Sequence, residues 1–384
     1  MTFASTQLGR RLLGICVLAL AALPAISFGQ SGAAAVKIGY LGNMTGRQAA
    51  SFGIPFKNGL DLALADIAAS GVLSNAKASI DVQVLDTNSE VTKAVTAFNQ
   101  FARQKLPIVI SDSSSPIGQA VAPLTNDAKI VFLSGSGSVL ENKGGFAFRF
   151  TDLDTPTGSV GKYLVEKGAK RIGVVVATDL PSFPTLAAAT IAGLPTAYVT
   201  TQNITSKDTN FAAMLTNLKD AKIDALVLSV LPEQAGNIIQ QMSQTGGFTN
   251  VLLAGTLATS LQTYTIAGKS ATGLVFPQVW APGGAKSAAF EAAYKKKYAS
   301  SPTAYGAMGY QIGWIVAAAI LEAQKSGKGL DGDALRVAIP AASNSELVKK
   351  NGIFEMSLSA KGEATSPGAL ATFAENGDIV RATK

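Results

Sequence analysis

Histidine is absent from all 384 residues, and cysteine occurs once, at Cys16. Without histidine the chain has no Ser-His or Cys-His nucleophile pair and no His-containing metal site, so no metal or other cofactor is expected. Charged residues make up only 15% of the chain and aromatics 7%, against 47% hydrophobic residues, a balance that excludes long disordered tracts. The single basic run, Lys295 to Lys297, sits in a helical pattern and reads as a solvated face. No basic stretch interleaves with aromatics, so no nucleic-acid partner is expected.

The length fits two domains with ample core. The first 29 residues stand apart. Arg10-Arg11 precede the apolar run LLGICVLALAALPAI, and Ser27-Phe28-Gly29 follows with small residues at the cleavage positions. This reads as a signal peptide, because the run is short for a membrane span. Cys16 lies inside that run, so the mature chain has no thiol and is held by its core and not by disulfides. Loss of Arg10 and Arg11 leaves 30 basic against 25 acidic residues, lowering the net charge from +7 to +5.

From Val36 onward, short apolar strands alternate with amphipathic segments. Strands are read at 36–41, 80–86, 107–111 and 129–134, and helices at 56–71 and 91–104. After a link at 151–158 the rhythm restarts, with strands at 171–177, 196–201, 223–230, 250–255 and 273–279. Two helices follow at 286–298 and about 304–325, and Asn376-Gly377 marks a late hairpin. Alternation of this kind builds βαβ units and a parallel sheet. The fold class is α/β, in two lobes.

Two loops carry the chemistry. The stretch SDSSSPIGQA (Ser111 to Ala120) follows an apolar strand, and Ser115-Pro116 reads as a helix cap and first turn. Ser113, Ser114 and Ser115 supply hydroxyls beside that helix start, an arrangement suited to a carboxylate. An ordinary helix cap competes with this reading. The next strand ends in LSGSGS (Leu133 to Ser138) at the same sheet edge. Leu140 stands where a third glycine would be needed and no Walker pattern occurs, so a nucleotide site is rejected. Two adjacent strands delivering uncharged donors suit a small polar head group at the crevice of an open sheet.

The order and spacing of VKIGYLGNMTGRQAASFG, KNGLDLALADIAASGV, the two serine loops, TNFAAMLTNLKDAKIDALVLSV, IAGKSATGLVFP and FEAAYKKKYASSPTAYGAMGYQ resemble the leucine/isoleucine/valine-binding type of periplasmic solute-binding protein, the receptor of ABC importers. The resemblance spans nearly the whole mature chain. It implies two doubly wound parallel-sheet lobes joined by three hinge crossings, residues 36–153 with 281–355 and residues 154–280 with 356–384, closing on a ligand. It implies a periplasmic monomer that binds a small carboxylate or amino acid and delivers it to an ABC permease in the inner membrane.

By the same resemblance the ligand carboxylate falls to Ser115, flanked by Ser114, and its further partners to Ser136 and Ser138. Aromatic pocket positions fall on Phe52, Phe183 and Tyr305. Where amino-acid binders carry an acid for the ligand's ammonium, Thr256 stands here, and Val230 replaces another aromatic. An unpaired buried ammonium costs several kcal/mol, so the expected ligand bears a carboxylate without requiring an α-amino group. Asp179 is the substitute acid to consider, though it also reads as a loop cap. A sensor acting on a separate partner is the alternative. A histidine-free hydrolase finds no S-x-x-K or G-x-S-x-G motif among these serines.

Overall fold

The apolar runs of the first third become one sheet. The computed structural model describes residues 34–382 other than 47, 113, 153, 181, 193 and 195–198, so the expected signal segment 1–29 lies outside the described residues. β1 (Ala34–Gly42), β2 (Ala78–Asp86), β3 (Ile108–Ser111), β4 (Val131–Ser134) and β5 (Ala147–Arg149) stand in the order β2-β1-β3-β4-β5, all parallel. Side chains alternate across β3: Ile108 and Ile110 join one hydrophobic cluster and Val109 the other. Helix Ile54–Ser70 covers the first face and helix Val91–Arg103 the second, so the sheet is doubly wound. Burial on both faces is why β3 and β4 read as unbroken apolar runs.

The second series forms another sheet from β6 (Ile172–Ala177), β7 (Val199–Ile204), β8 (Ala225–Ser229), β9 (Leu252–Gly255) and β10 (Val275–Gln278). β11 (Ser357–Leu358) and β12 (Ala364–Thr365) make a small separate hairpin, and β13 (Ala369–Phe373) and β14 (Ile379–Arg381) extend the second sheet in antiparallel fashion. Its order is β14-β13-β10-β9-β8-β6-β7. The Asn376-Gly377 turn joins β13 to β14, with Gly377 at φ 87°, as the hairpin signal requires. β7 is described from Val199, and residues 196–198 of its reading at 196–201 lie outside the described residues.

Three crossings link the lobes. The chain leaves the first after Phe150, whose ring is in its core, and Val160 is already in the second core. It returns where Trp280 packs in the first core beside Ala281 in the second. It crosses last between Ala364 and Ala369. The tail beyond 355, expected wholly in the second lobe, therefore divides: Met356, Leu358 and Ala364 pack in the first core, Ala371 and Phe373 in the second. Asp152 ties two crossings together by accepting the Ser366 N–H at 2.9 Å.

Helix Ala304–Lys325 is apolar and long enough to span a membrane, but 83% of its most apolar 18-residue stretch is buried inside the protein. It packs on helix Ile54–Ser70 so closely that a Cβ on Gly59 would stand 1.8 Å from the Gly306 carbonyl oxygen. Helices Gly332–Ser343 and Glu346–Asn351 were not among the elements read from the sequence, and the first of them contains Pro340. Pro340 is accommodated near the helix end, where its carbonyl accepts from Ser343 and Asn344 side chains.

Candidate functional site

The C-terminal edge of the first sheet is stitched before any ligand arrives. Asp112, just past β3, is 1% exposed. It accepts from the Tyr40 hydroxyl at 2.9 Å, the Asn43 N–H at 2.8 Å and the Asn43 side-chain amide. The Thr87 hydroxyl donates to Asn43 Oδ1 at 2.6 Å, extending the seam to the end of β2. Burial pushes the Asp112 carboxyl up to about 6 against the pull of its donors, and burial beside it raises the Tyr40 hydroxyl well above its usual value. The Ser111 and Ser134 hydroxyls meet at 3.1 Å, joining β3 to β4. Sequence reasoning passed over Asp112, although a carboxylate directly after a buried strand was its signal.

On this edge sit the two serine loops. Ser114, with extended backbone at φ −153° and ψ 104°, is the N-cap of helix Ser115–Val121, and its hydroxyl makes no capping bond. Ser115, read from the sequence as the cap, is instead the first helical residue. The reason is a competing partner, since the Ser115 hydroxyl oxygen accepts from the Gly137 N–H at 3.1 Å and the Ser138 N–H at 3.2 Å. Gly118 permits the approach: a Cβ there would stand 2.8 Å from Ser136 Cβ. Ser136 is fully buried, donating to the Ser138 carbonyl and accepting from the Ser138 N–H, so its hydroxyl is spent inside its own loop. Ser113 lies outside the described residues.

Between the lobes lies a cleft of about 2000 Å³. Of the residues singled out in the sequence, Ser115, Phe52, Phe183 and Tyr305 line it. Phe52 and Tyr305 meet edge-on, ring centroids 4.5 Å apart. Phe183 lies on the opposite lobe, in helix Ser182–Ile191, its carbonyl accepting from the buried Ser229 hydroxyl. Ser114, Ser136, Ser138, Thr256 and Val230 do not line the cleft. Gly137 and Val139 face it in place of the flanking serines. Thr256 is fully buried under its own loop, where its hydroxyl and carbonyl accept from Ala258 and Thr259 N–H groups. The wall it was expected to form is made by Leu257, Ala258, Thr259, Ser260 and Leu261, none of them acidic.

Asp179 caps a loop. It accepts from the Ser206 hydroxyl at 2.6 Å and the Ser206 N–H at 2.7 Å, bonds that hold its carboxyl below the ordinary range. Among the described residues, the carboxylates that do line the cleft are Glu166, Glu291 and Asp378. Glu291 is committed to the Gly283 N–H and the Ser287 hydroxyl, and Asp378 accepts from the Asn376 amide. Glu166 lies exposed at the end of helix Asp154–Glu166. Sequence reasoning also missed Arg149, which lines the cleft from the end of β5 and pairs with Glu363 at 2.6 Å.

With this geometry in hand, the comparisons are decisive on family. The model of the family described as periplasmic binding protein matches residues 35–378. The chain belongs to the periplasmic binding protein family. Its members are binding proteins and not enzymes. No curated protein matches the chain in sequence. Among solved structures it is similar to the leucine binding protein LivK of Thermotoga maritima, with 22% identity over 91% of this chain and 98% of that one and a TM-score of 0.68. It is similar to the branched-chain amino acid transporter substrate binding protein LivJ of Streptococcus pneumoniae, in complex with isoleucine, with 22% identity over 90% and 97% of the two chains and a TM-score of 0.68. An extracellular ligand-binding receptor from Rhodopseudomonas palustris shares 20% identity over 91% and 100%, with a TM-score of 0.64. These likenesses show the fold.

Proposed function

We propose that this protein is the periplasmic solute receptor of an ABC importer, exported by segment 1–29, that captures a small apolar acid between two lobes and hands it as a monomer to an inner-membrane permease. The lobes are read as 36–153 with 281–365 and 154–280 with the remaining tail, in line with the side chains each core takes. The Ser115 hydroxyl carries the ligand reading. A hydroxyl has one donor and two acceptor lone pairs, and both acceptor sites of Ser115 are occupied by Gly137 and Ser138 N–H groups. What Ser115 has left for the cleft is a single O–H, and its complement is an acceptor. A carboxylate is acceptor-only and forms the stronger, charge-assisted version of that bond.

Apolar surface supports the rest. Val139 on the first lobe and Leu261 on the second are 68% and 54% exposed, and both line the cleft with Phe52, Phe183 and Tyr305. Such a lining favours an apolar ligand body. The loop at 257–261 offers no carboxylate to an ammonium, which supports an acid without an α-amino group. Lobe closure would follow from tighter binding in the closed than in the open state.

The test is a thermal-shift panel on the mature chain with leucine, isovalerate, phenylacetate and the matching amides. A ligand bound only by the folded state raises apparent stability by about 2.7 kcal/mol at a hundredfold excess over its dissociation constant. Larger shifts with isovalerate or phenylacetate than with their amides are expected. A shift with leucine alone would overturn the amine-free reading, and equal shifts with acids and amides would overturn the carboxylate reading.

A further inference from the structure

Gly137 is held on both of its backbone polar groups by side chains that line the cleft. Its N–H donates to the Ser115 hydroxyl, and its carbonyl accepts from Arg149 Nη1 at 3.3 Å. Arg149 is held in turn by Glu363, whose Oε2 accepts from Nε at 2.7 Å and lies 2.6 Å from Nη2. The guanidinium is nearly buried, with 10% of the side chain exposed. The backbone repeats the link, as the Arg149 N–H donates to the Gly362 carbonyl at 2.7 Å. A chain of contacts thus runs from the returning 359–365 segment through Arg149 and Gly137 to the Ser115 hydroxyl, which lines the cleft.

From this connection we infer that Arg149 is a positioning residue for carboxylate recognition, an inference that rests on the carboxylate reading of the cleft. Its planar fork spans two acceptors in different segments, which a lysine's single ammonium cannot reproduce. With the Gly137 carbonyl anchored, the Gly137 and Ser138 N–H groups stay pointed at Ser115 and keep both its acceptor sites filled. Without that anchor the peptide is free to turn, an acceptor site on Ser115 opens, and the hydroxyl serves ligand donors as readily as ligand acceptors. Arg149 therefore sets the preference for an acid over its amide without needing to touch the ligand. Glu363 holds the guanidinium in place and keeps it from acting as a second, competing anion trap.

The experiment uses the mature chain with Arg149→Gln, Arg149→Lys and Glu363→Gln. Hydrogen exchange of the Gly137 and Ser138 amides, followed without ligand, is expected to quicken about tenfold in Arg149→Gln and in Arg149→Lys, the size of one hydrogen bond involving a charged group. Exchange in β3 and β4 should stay unchanged. The affinity ratio of phenylacetate over phenylacetamide should fall by about the same factor in Arg149→Gln, and combining it with Ser115→Ala should add nothing further. If Arg149→Gln does not fold, Glu363→Gln carries the exchange measurement alone, because a guanidinium released from Glu363 would itself attract the acid and mask the ratio.

Unchanged exchange at Gly137 and Ser138, equal weakening of acid and amide, or additive effects with Ser115→Ala would each overturn the assignment of Arg149. Full rescue of the ratio by Arg149→Lys would also overturn it, since charge alone would then suffice. A wild-type protein that does not prefer phenylacetate over its amide fails the carboxylate reading instead, and the exchange measurement still decides whether Arg149 positions the loop.

Discussion

Phe52 and Tyr305 come from opposite ends of the sequence, yet their rings meet edge-on with centroids 4.5 Å apart on the cleft wall. Such pairs add about 0.5–1.5 kcal/mol beyond the area they bury. Each ring steadies the other, so truncating Phe52 removes its own contact with an apolar ligand and loosens Tyr305 as well. Phe52→Ala is expected to weaken phenylacetate binding about tenfold or more in calorimetry, with the acid-over-amide preference intact. An unchanged affinity would mean that the ligand sits elsewhere in the cleft.

Ser115→Ala tests the donor itself. The two N–H groups of Gly137 and Ser138 lose their acceptor along with the ligand's donor, so binding of an acid should drop by about ten- to a hundredfold. The matching amide should lose less, because its carbonyl oxygen is the weaker acceptor. Titration of both ligands against the variant separates this from a general loosening of the loop, which would weaken the two alike.

How much of this was visible beforehand depended on the range of the interaction. Most strands of both sheets were legible because β3, β4, β6 and β8 are buried on both faces and carry unbroken apolar runs, and the last hairpin because Asn376-Gly377 names its own turn, while β5, only three residues long, was not read. Ser115 and Ser136 could not be told apart, since each is a serine in a small-residue loop at the same sheet edge. What separates them is partner geometry: one accepts across loops, the other closes on its own. Arg149 carried no local signal, because Glu363 lies 214 residues away. Thr256 was off by register, since the cleft wall begins at the next residue, Leu257, while Thr256 is buried with its hydroxyl accepting from the Ala258 N–H.

Asp112 gives the protein a pH dependence opposite in sign to that of an ordinary paired carboxylate. Its carboxyl is raised to about 6 in the folded chain, chiefly by burial, from 3.8. The folded state therefore holds this proton more tightly than the unfolded one. The contribution, roughly 3 kcal/mol, is complete below about pH 4 and is lost as pH rises through about 6. Asp112→Asn titrates nowhere in that window. Urea unfolding at pH 4, 5, 6 and 7 should show the wild type losing stability relative to the variant as pH rises; parallel curves would show that Asp112 is ionised in both states alike.

Helix contact sets a firm steric limit. Alanine normally stabilises a helix over glycine by about 0.5–1 kcal/mol, but at position 59 its Cβ would meet the backbone oxygen of Gly306 at 1.8 Å. Backbone cannot rotate away as a side chain can, so the two helices must separate. Gly59→Ala should lower stability by about 1–3 kcal/mol, the range of overpacked cores. A thermal midpoint equal to or above that of the wild type would show that the 54–70 and 304–325 helices are less tightly apposed than this.

Glu166 decides between an amine-free acid and an amino acid. Of the three carboxylates that line the cleft among the described residues, Glu291 and Asp378 are committed to neighbouring donors, which leaves Glu166 of these three to meet a ligand ammonium. Its exposure means that such a pair would be screened and worth about 1 kcal/mol or less. Glu166→Gln should therefore leave isovalerate binding unchanged. For leucine, if it binds through that carboxylate, affinity should fall by up to about fivefold and the loss should shrink at high salt. Parallel titrations of the two ligands at low and high salt read this directly. Loss of isovalerate affinity in Glu166→Gln would place the acid where no ammonium is present to need it, and the amine-free reading would have to give way to one in which Glu166 shapes the cleft itself.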